Sequence, residues 1–154
     1  MTTVTSASDI REKGGIVIRD LLKADSTLLA LIGRTANDSI FYGTPSTKTR
    51  FELKYPCLIV DLMPSDFDDY SNDGTIQTGI VRIKITAYSP DQFKALKMAD
   101  RAFAVIGNAD ATLLSQGFTL RSTYTSSIDG VAPDGKMLWN EGVTLNLIYI
   151  GSRS

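Results

Sequence analysis

The stretch from Tyr55 to Ile106 limits the fold most, because its successive local patterns all require one arrangement. It opens on the apolar run Tyr55-Pro56-Cys57-Leu58-Ile59-Val60-Asp61-Leu62-Met63. A run apolar on both faces predicts a central strand over residues 53–63, covered on both sides. Pro56 has no amide hydrogen for a ladder, so it must lie near the strand's start or on an edge. The acidic stretch from Pro64 to Asp73 reads as a long hairpin connection. From Ile76 to Tyr88 the chain alternates, with Val81, Ile83, Ile85 and Ala87 on one face and Arg82, Lys84 and Thr86 on the other. That pattern predicts a strand with one wet face. Ser89, Pro90 and Gln92 then suit the cap, first and third positions of a helix. Its expected buried stripe is Phe93, Leu96, Ala99, Phe103 and Ile106, and Gly107-Asn108 ends it.

The flanks read less sharply. Residues 1–7 are small and polar and are expected to form a flexible arm ahead of one domain spanning residues 8–151. Ser6 or Ser8 can cap a first helix that carries Ile10, Gly14, Val17 and Leu21 on one face, with Ile18 and Leu22 beside them. Gly14-Gly15 weakens its first half, since each glycine costs about 1 kcal/mol relative to alanine, so the firm helix is expected from Gly15. Asp25-Ser26 caps a second short helix over residues 27–32, which Gly33 stops. Ile40-Phe41-Tyr42 is a short strand, followed by an irregular loop over residues 43–50. After an apolar turn at Leu113-Leu114 come strands over residues 118–126 and 137–150, joined by a turn over residues 127–135. The order predicts an α+β fold: a mainly antiparallel sheet with two main helices packed on one face.

Composition narrows the function. A chain of 154 residues can bury a real core, and 43% apolar against 21% charged residues fits a globular rather than a disordered protein. Sixteen basic and seventeen acidic side chains leave a net charge of −1, which gives no electrostatic reason to expect nucleic-acid or membrane-surface binding. The chain has no histidine. It therefore lacks the usual general base near neutral pH and every Ser-His or Cys-His nucleophile. Cys57 is the one cysteine, so no intrachain disulfide forms, and within an apolar strand it reads as a small buried hydrophobe. The first residues have neither a basic start nor an apolar run, so no signal peptide is expected, and no window reaches the length of a membrane span. A protein made in a cytoplasm is the expectation.

No residue group carries a catalytic pattern. There is no phosphate-binding loop, dinucleotide fingerprint or nucleophile elbow. Asp66, Asp68, Asp69 and Asp73 superficially resemble a calcium loop, but the sixth and twelfth positions hold Ser71 and Gln77 instead of glycine and glutamate. A solvated acidic hairpin tip is the plainer reading, and an acidic rim or lumen in an assembly the functional one, with Tyr70 in the same segment. Lys48 and Arg50 sit in a polar loop where they would meet either water or an acidic partner. Asp61, among apolar neighbours, requires a basic partner from the adjacent strand. Trp139, Tyr88, Tyr124 and Tyr149 are better read as core or interface aromatics than as a stacking platform, because no basic surround accompanies them. No enzyme, cofactor or metal is expected.

Several phrases in order resemble the tail-completion, or tail-to-head joining, proteins of long-tailed bacteriophages. They are the opening helix ending in Leu21 to Gly33, then Ile40-Phe41-Tyr42, then the Tyr55-Pro56 lead-in to an apolar strand. Val81 to Tyr88 running into the Ser89-Pro90-Asp91-Gln92 helix with Ala99-Asp100, and a closing strand, complete the likeness over residues 16–150. The acidic insert over residues 65–73 and the polar arm depart from the leanest members. The resemblance implies a small α+β tail terminator that closes into a homohexameric ring. Such a ring caps the tail tube protein, meets the head connector or stopper protein, and lets DNA pass without specific binding. It implies a virion location in the tail or neck, and no membrane. Another neck, tail-tube or baseplate component, and a stand-alone ligand-binding α+β domain, are the alternative readings.

Overall fold

A computed structural model describes residues 7–43, 54–63, 67–68, 76–131 and 137–152. Its helices are α1 (Ala7–Lys23), α2 (Ser26–Ile32), α3 (Ala36–Ser39), α4 (Gln92–Gly107) and α5 (Asp110–Ser115). Its strands are β1 (Ile40–Tyr42), β2 (Cys57–Met63), β3 (Phe67–Asp68), β4 (Ile76–Ser89), β5 (Phe118–Val131) and β6 (Met137–Ser152). They form one mixed sheet in the order β1-β2-β4-β6-β5, with β3 also pairing β4. Every pairing is antiparallel except that of β1 with β2. The expected α+β class holds.

The alternation in β4 does what strand geometry demands. Val81, Ile83, Ile85 and Ala87 are buried beneath the helices with Leu58 and Val60 of β2 and Val143, Leu145 and Leu147 of β6. The opposite face is less wet than its sequence implies. Arg82 is exposed, but Thr86, Thr144, Cys57 and Ile59 are all buried, and Tyr55 packs edge-on against Tyr88 at 6.4 Å between ring centroids. Cys57 is thus the buried small residue expected of it. The strand holding it starts at Cys57 rather than near Leu53, directly after a cis Tyr55–Pro56 bond. Proline at the lead-in leaves the ladder intact.

Helix α1 runs unbroken through Gly14-Gly15, contrary to the expectation of a firm start at Gly15. Packing explains why glycines stand there. A Cβ on Gly14 would lie 3.1 Å from Val81 Cγ1, and one on Gly15 would lie 2.2 Å from Tyr42 Cε2. The helix approaches the sheet closely only because those positions carry no side chain, and the contact outweighs the propensity cost of about 1 kcal/mol for each. Asp25 caps α2 as expected, its carboxylate accepting from Leu28 N at 2.8 Å, and Gly33 closes the helix with φ 76°. Helix α3 has no counterpart among the local sequence patterns, and the apolar turn expected at Leu113-Leu114 is the short helix α5.

Helix α4 departs from its sequence reading in two ways. Its cap is Asp91, whose side chain accepts from Phe93 N at 2.9 Å, two residues beyond Ser89. Ser89 stays in the ladder opposite Trp139, and its hydroxyl accepts from Asp91 N at 3.1 Å instead. The buried side comprises Ala95, Met98, Ala99, Ala102 and Ile106, while Phe93 is 70% and Phe103 39% exposed. Small side chains bring the helix axis close to the sheet, and the two phenylalanines are turned outward.

Beyond β2 the sheet continues in β3. Phe67 and Asp68 pair with Gly79 and Thr78, continuing the β2 lane along β4 one residue out of step. Likewise β5 extends to Val131, so residues 127–131 are strand rather than turn.

Candidate interaction surfaces

Of the acidic and basic residues expected to form an assembly loop, Asp68 alone lies among the described residues, in β3 opposite Thr78. Asp66, Asp69, Tyr70, Asp73, Lys48 and Arg50 lie outside them. Of the four aromatics, the three whose side chains are described do not converge. Tyr149 packs on Phe118 at 5.5 Å beneath the helices, Tyr88 lies on the other face, and Trp139 stands 40% exposed at the far end of β6. The side chain of Tyr124 lies outside the described residues.

Asp61 pairs in register with Lys84 of β4, the basic partner expected from the neighbouring strand. Burial pushes its carboxyl above the ordinary range, and the Lys84 charge offsets this only in part. A raised folded-state value contributes stability below the unfolded value that is lost as pH rises through the folded one. At neutral pH Asp61 is thus a burden on the fold. Asp61→Asn is expected to raise the melting temperature at pH 7 and to change it less at pH 4; an equal drop at both would contradict the assignment.

Asp25 shows the opposite sign. Arg101 Nε and Nη2 each donate to its carboxylate at 2.8 Å, and that bond, with Leu28 N, holds its carboxyl below the ordinary value. One side chain thereby ties the start of α2 to α4. Its contribution is present above the unfolded value and is lost as pH falls through the lowered one, below about pH 4. Asp25→Ala is expected to cost about 0.5–2 kcal/mol from the cap alone and to flatten the acid limb of a stability–pH curve. An unchanged limb would count against the pairing.

Arg34, which nothing in the sequence marks out, holds three carbonyls. It donates to Lys54 O at 2.5 Å, Pro56 O at 3.2 Å and Asp38 O at 2.7 Å. This pins the chain entering β2 to α3. No local pattern signals it, because the partners lie up to 22 residues away.

Three surfaces stand out among the described residues. On the face away from the helices, a bulge at Arg121 in β5 sets its guanidinium beside Arg82, Ile80 and Asn146, around a shallow polar pocket of about 310 Å³. Bulges commonly re-aim a side chain in this way. On the helical side, a groove of about 580 Å³ runs between α1 and α5, floored by Ile16, Val17 and Leu21 and edged by Asp9, Glu12, Lys13 and Asp20. The third surface is the outward side of α4, where Phe93 and Phe103 are exposed beside Lys97 and Asp100. Among the described residues, no group of histidine, cysteine, aspartate or glutamate is arranged to hold a metal ion. No helix among them is long and apolar enough to cross a membrane.

No protein-family model matches the sequence, and no curated protein matches it significantly. Solved structures do share its shape. One is a chain of the virion of the native gene transfer agent (GTA) particle, with a TM-score of 0.50 and 18% identity. The alignment covers 90% of this chain and 93% of that one. At that identity the likeness shows a common fold, extending over nearly the whole of both chains.

Proposed function

We propose that this protein is a structural, non-enzymatic component of a phage-like particle, and within it a tail-completion protein. It would cap the tail tube as a ring and join the tail to the head connector. The observation that carries the reading is the end-to-end fold likeness to a virion chain. It agrees with the independent resemblance of the opening helix, the Tyr55-Pro56 strand and the Ser89–Gln92 helix start to tail-completion proteins. The lack of histidine and of any catalytic pattern fits a part that works by assembling.

In this reading the acidic segment with Asp66, Asp68, Asp69, Tyr70 and Asp73 projects from the β3–β4 ribbon into the channel. Like charge there would keep passing DNA from adhering. Lys48 and Arg50 would meet an acidic partner, and the arm over residues 1–7 would order on a neighbour. A ring with Asp68 and Asp69 on its outer circumference would contradict the channel placement. Deleting the gene in a particle-producing strain tests the function itself. Filled heads with unattached tails, or tails of uncontrolled length, are expected. Normal particles would overturn the reading, and tails lacking only a baseplate would assign the chain to that end.

A further inference from the structure

We infer that the pocket shared by Arg82 and Arg121, on the sheet face away from the helices, binds a phosphoryl group. Such a site is independent of the ring reading, and neither falls with the other.

The sheet itself brings the two guanidinium groups together. Arg82 of β4 stands opposite Asn146 of β6, and Asn146 stands opposite Ser122 of β5. A regular β5 would give that row one residue. The register instead steps from Leu120 opposite Leu147 to Ser122 opposite Asn146, so Arg121 is the extra residue of a bulge beside the same row. Adjacent strands lie about 4.8 Å apart, so the backbones carrying Arg82 and Arg121 are roughly 10 Å from each other. Each arginine side chain is longer than half that span, and both line one pocket of about 310 Å³ with Ile80 and Asn146.

Two like charges at one spot repel unless an anion lies between them. Elsewhere in the chain guanidinium groups take oxygen partners: Arg19 takes Asp20, Arg101 takes Asp25, and Arg34 takes three carbonyls. Arg82 and Arg121 have no hydrogen bond or ion pair among the described residues. Asp61, the carboxylate of β2 on this face, is set opposite Lys84 rather than Arg82.

The number of donors indicates the chemistry of the group. One guanidinium satisfies one carboxylate, as Arg101 does with two bonds of 2.8 Å to Asp25. Two guanidinium groups approaching from two strands suit an anion with oxygens on more than one side, and a tetrahedral phosphoryl group provides them. Contacts of this kind carry no base sequence information. A site this local is compatible with a net charge of −1 over the whole chain.

Thermal unfolding of the full chain in sodium phosphate and in sodium chloride, at pH 7 and equal ionic strength, tests this. Phosphate is expected to raise the wild-type melting temperature saturably, by about 3–6 °C at roughly ten times its half-saturating concentration. Phosphate also stabilises proteins through exclusion from their surface, but that effect does not saturate and all variants share it. Arg82→Gln and Arg121→Gln should each lose the saturable response, and Lys97→Gln, on α4, should keep it. All three side chains are exposed, so the variants should retain the wild-type circular dichroism. Fluorescence anisotropy with a short DNA duplex separates two sources of the group. Wild-type binding that weakens about 10-fold in both arginine variants assigns the site to a phosphodiester backbone. No duplex binding beside an intact phosphate response assigns it to free phosphate or a phosphomonoester. A wild-type response that is absent or does not saturate would overturn the inference, as would arginine variants that respond like wild type. A poly-aspartate peptide that stabilises wild type where phosphate does not would also overturn it, and would give the arginines to a protein carboxylate.

Discussion

Ile83→Ala is expected to lower stability by about 2–5 kcal/mol, the range for truncating a fully buried aliphatic side chain. Ile83 sits in β4, the middle strand of the sheet, between Leu62 of β2 and Leu145 of β6, with no exposed surface. Two neighbouring strands and the helical layer hold its surroundings in place, so the vacated space collapses poorly and the cavity term is retained. Urea unfolding checks this: the midpoint should fall while the slope stays near that of wild type. A loss under about 1 kcal/mol would mean that the helices can settle onto the sheet.

Overpacking α4 gives the second large effect and separates two accounts of that helix. Ala102 is fully buried, so Ala102→Leu forces extra methylenes between α4 and the sheet and is expected to cost about 1–3 kcal/mol or more. Phe93→Ser, measured at high dilution, should stay within about 0.5 kcal/mol, as surface changes do. A stripe built on Phe93 and Phe103 demands the reverse order: tolerance at residue 102 and heavy loss at residue 93. Thermal or urea unfolding of the two variants side by side distinguishes them.

That contrast shows where sequence patterns inform and where they mislead. The β4 strand was legible because alternation with a period of two leaves one consistent choice of buried face. Asp25 and Gly33 were legible because capping is chemistry local to a few residues. In α4, Ala99 and Ile106 are buried as the stripe requires, while Phe93 and Phe103 face outward, because apolar size alone does not decide burial. Alanine gains less from burial than its larger neighbours, but at a close helix–sheet contact small volume decides which side faces in. Gly14 and Gly15 were misread for the same reason, since helix propensity is a local cost and their benefit is a contact with Val81 and Tyr42 distant in sequence. The α4 cap shifted from Ser89 to Asp91 because the ladder retained Ser89, a competition no local pattern reveals.

The interaction surfaces were legible only in part. The acidic segment announced itself by composition. That Arg121 and Arg82 line one pocket depends on a bulge, and the α1–α5 groove depends on how two helices of separate sequence meet. Neither has a signature along the chain. Arg34 is the same case, since its three carbonyl partners come together only once β2 and α3 are placed.

Electron microscopy of the purified full-length chain, alone and mixed with tail tubes, tests the central claim most directly. Rings of uniform diameter with a central opening are expected, and the same rings seated on tube ends. A chain that remains a monomer at high concentration and leaves tube ends bare would contradict it.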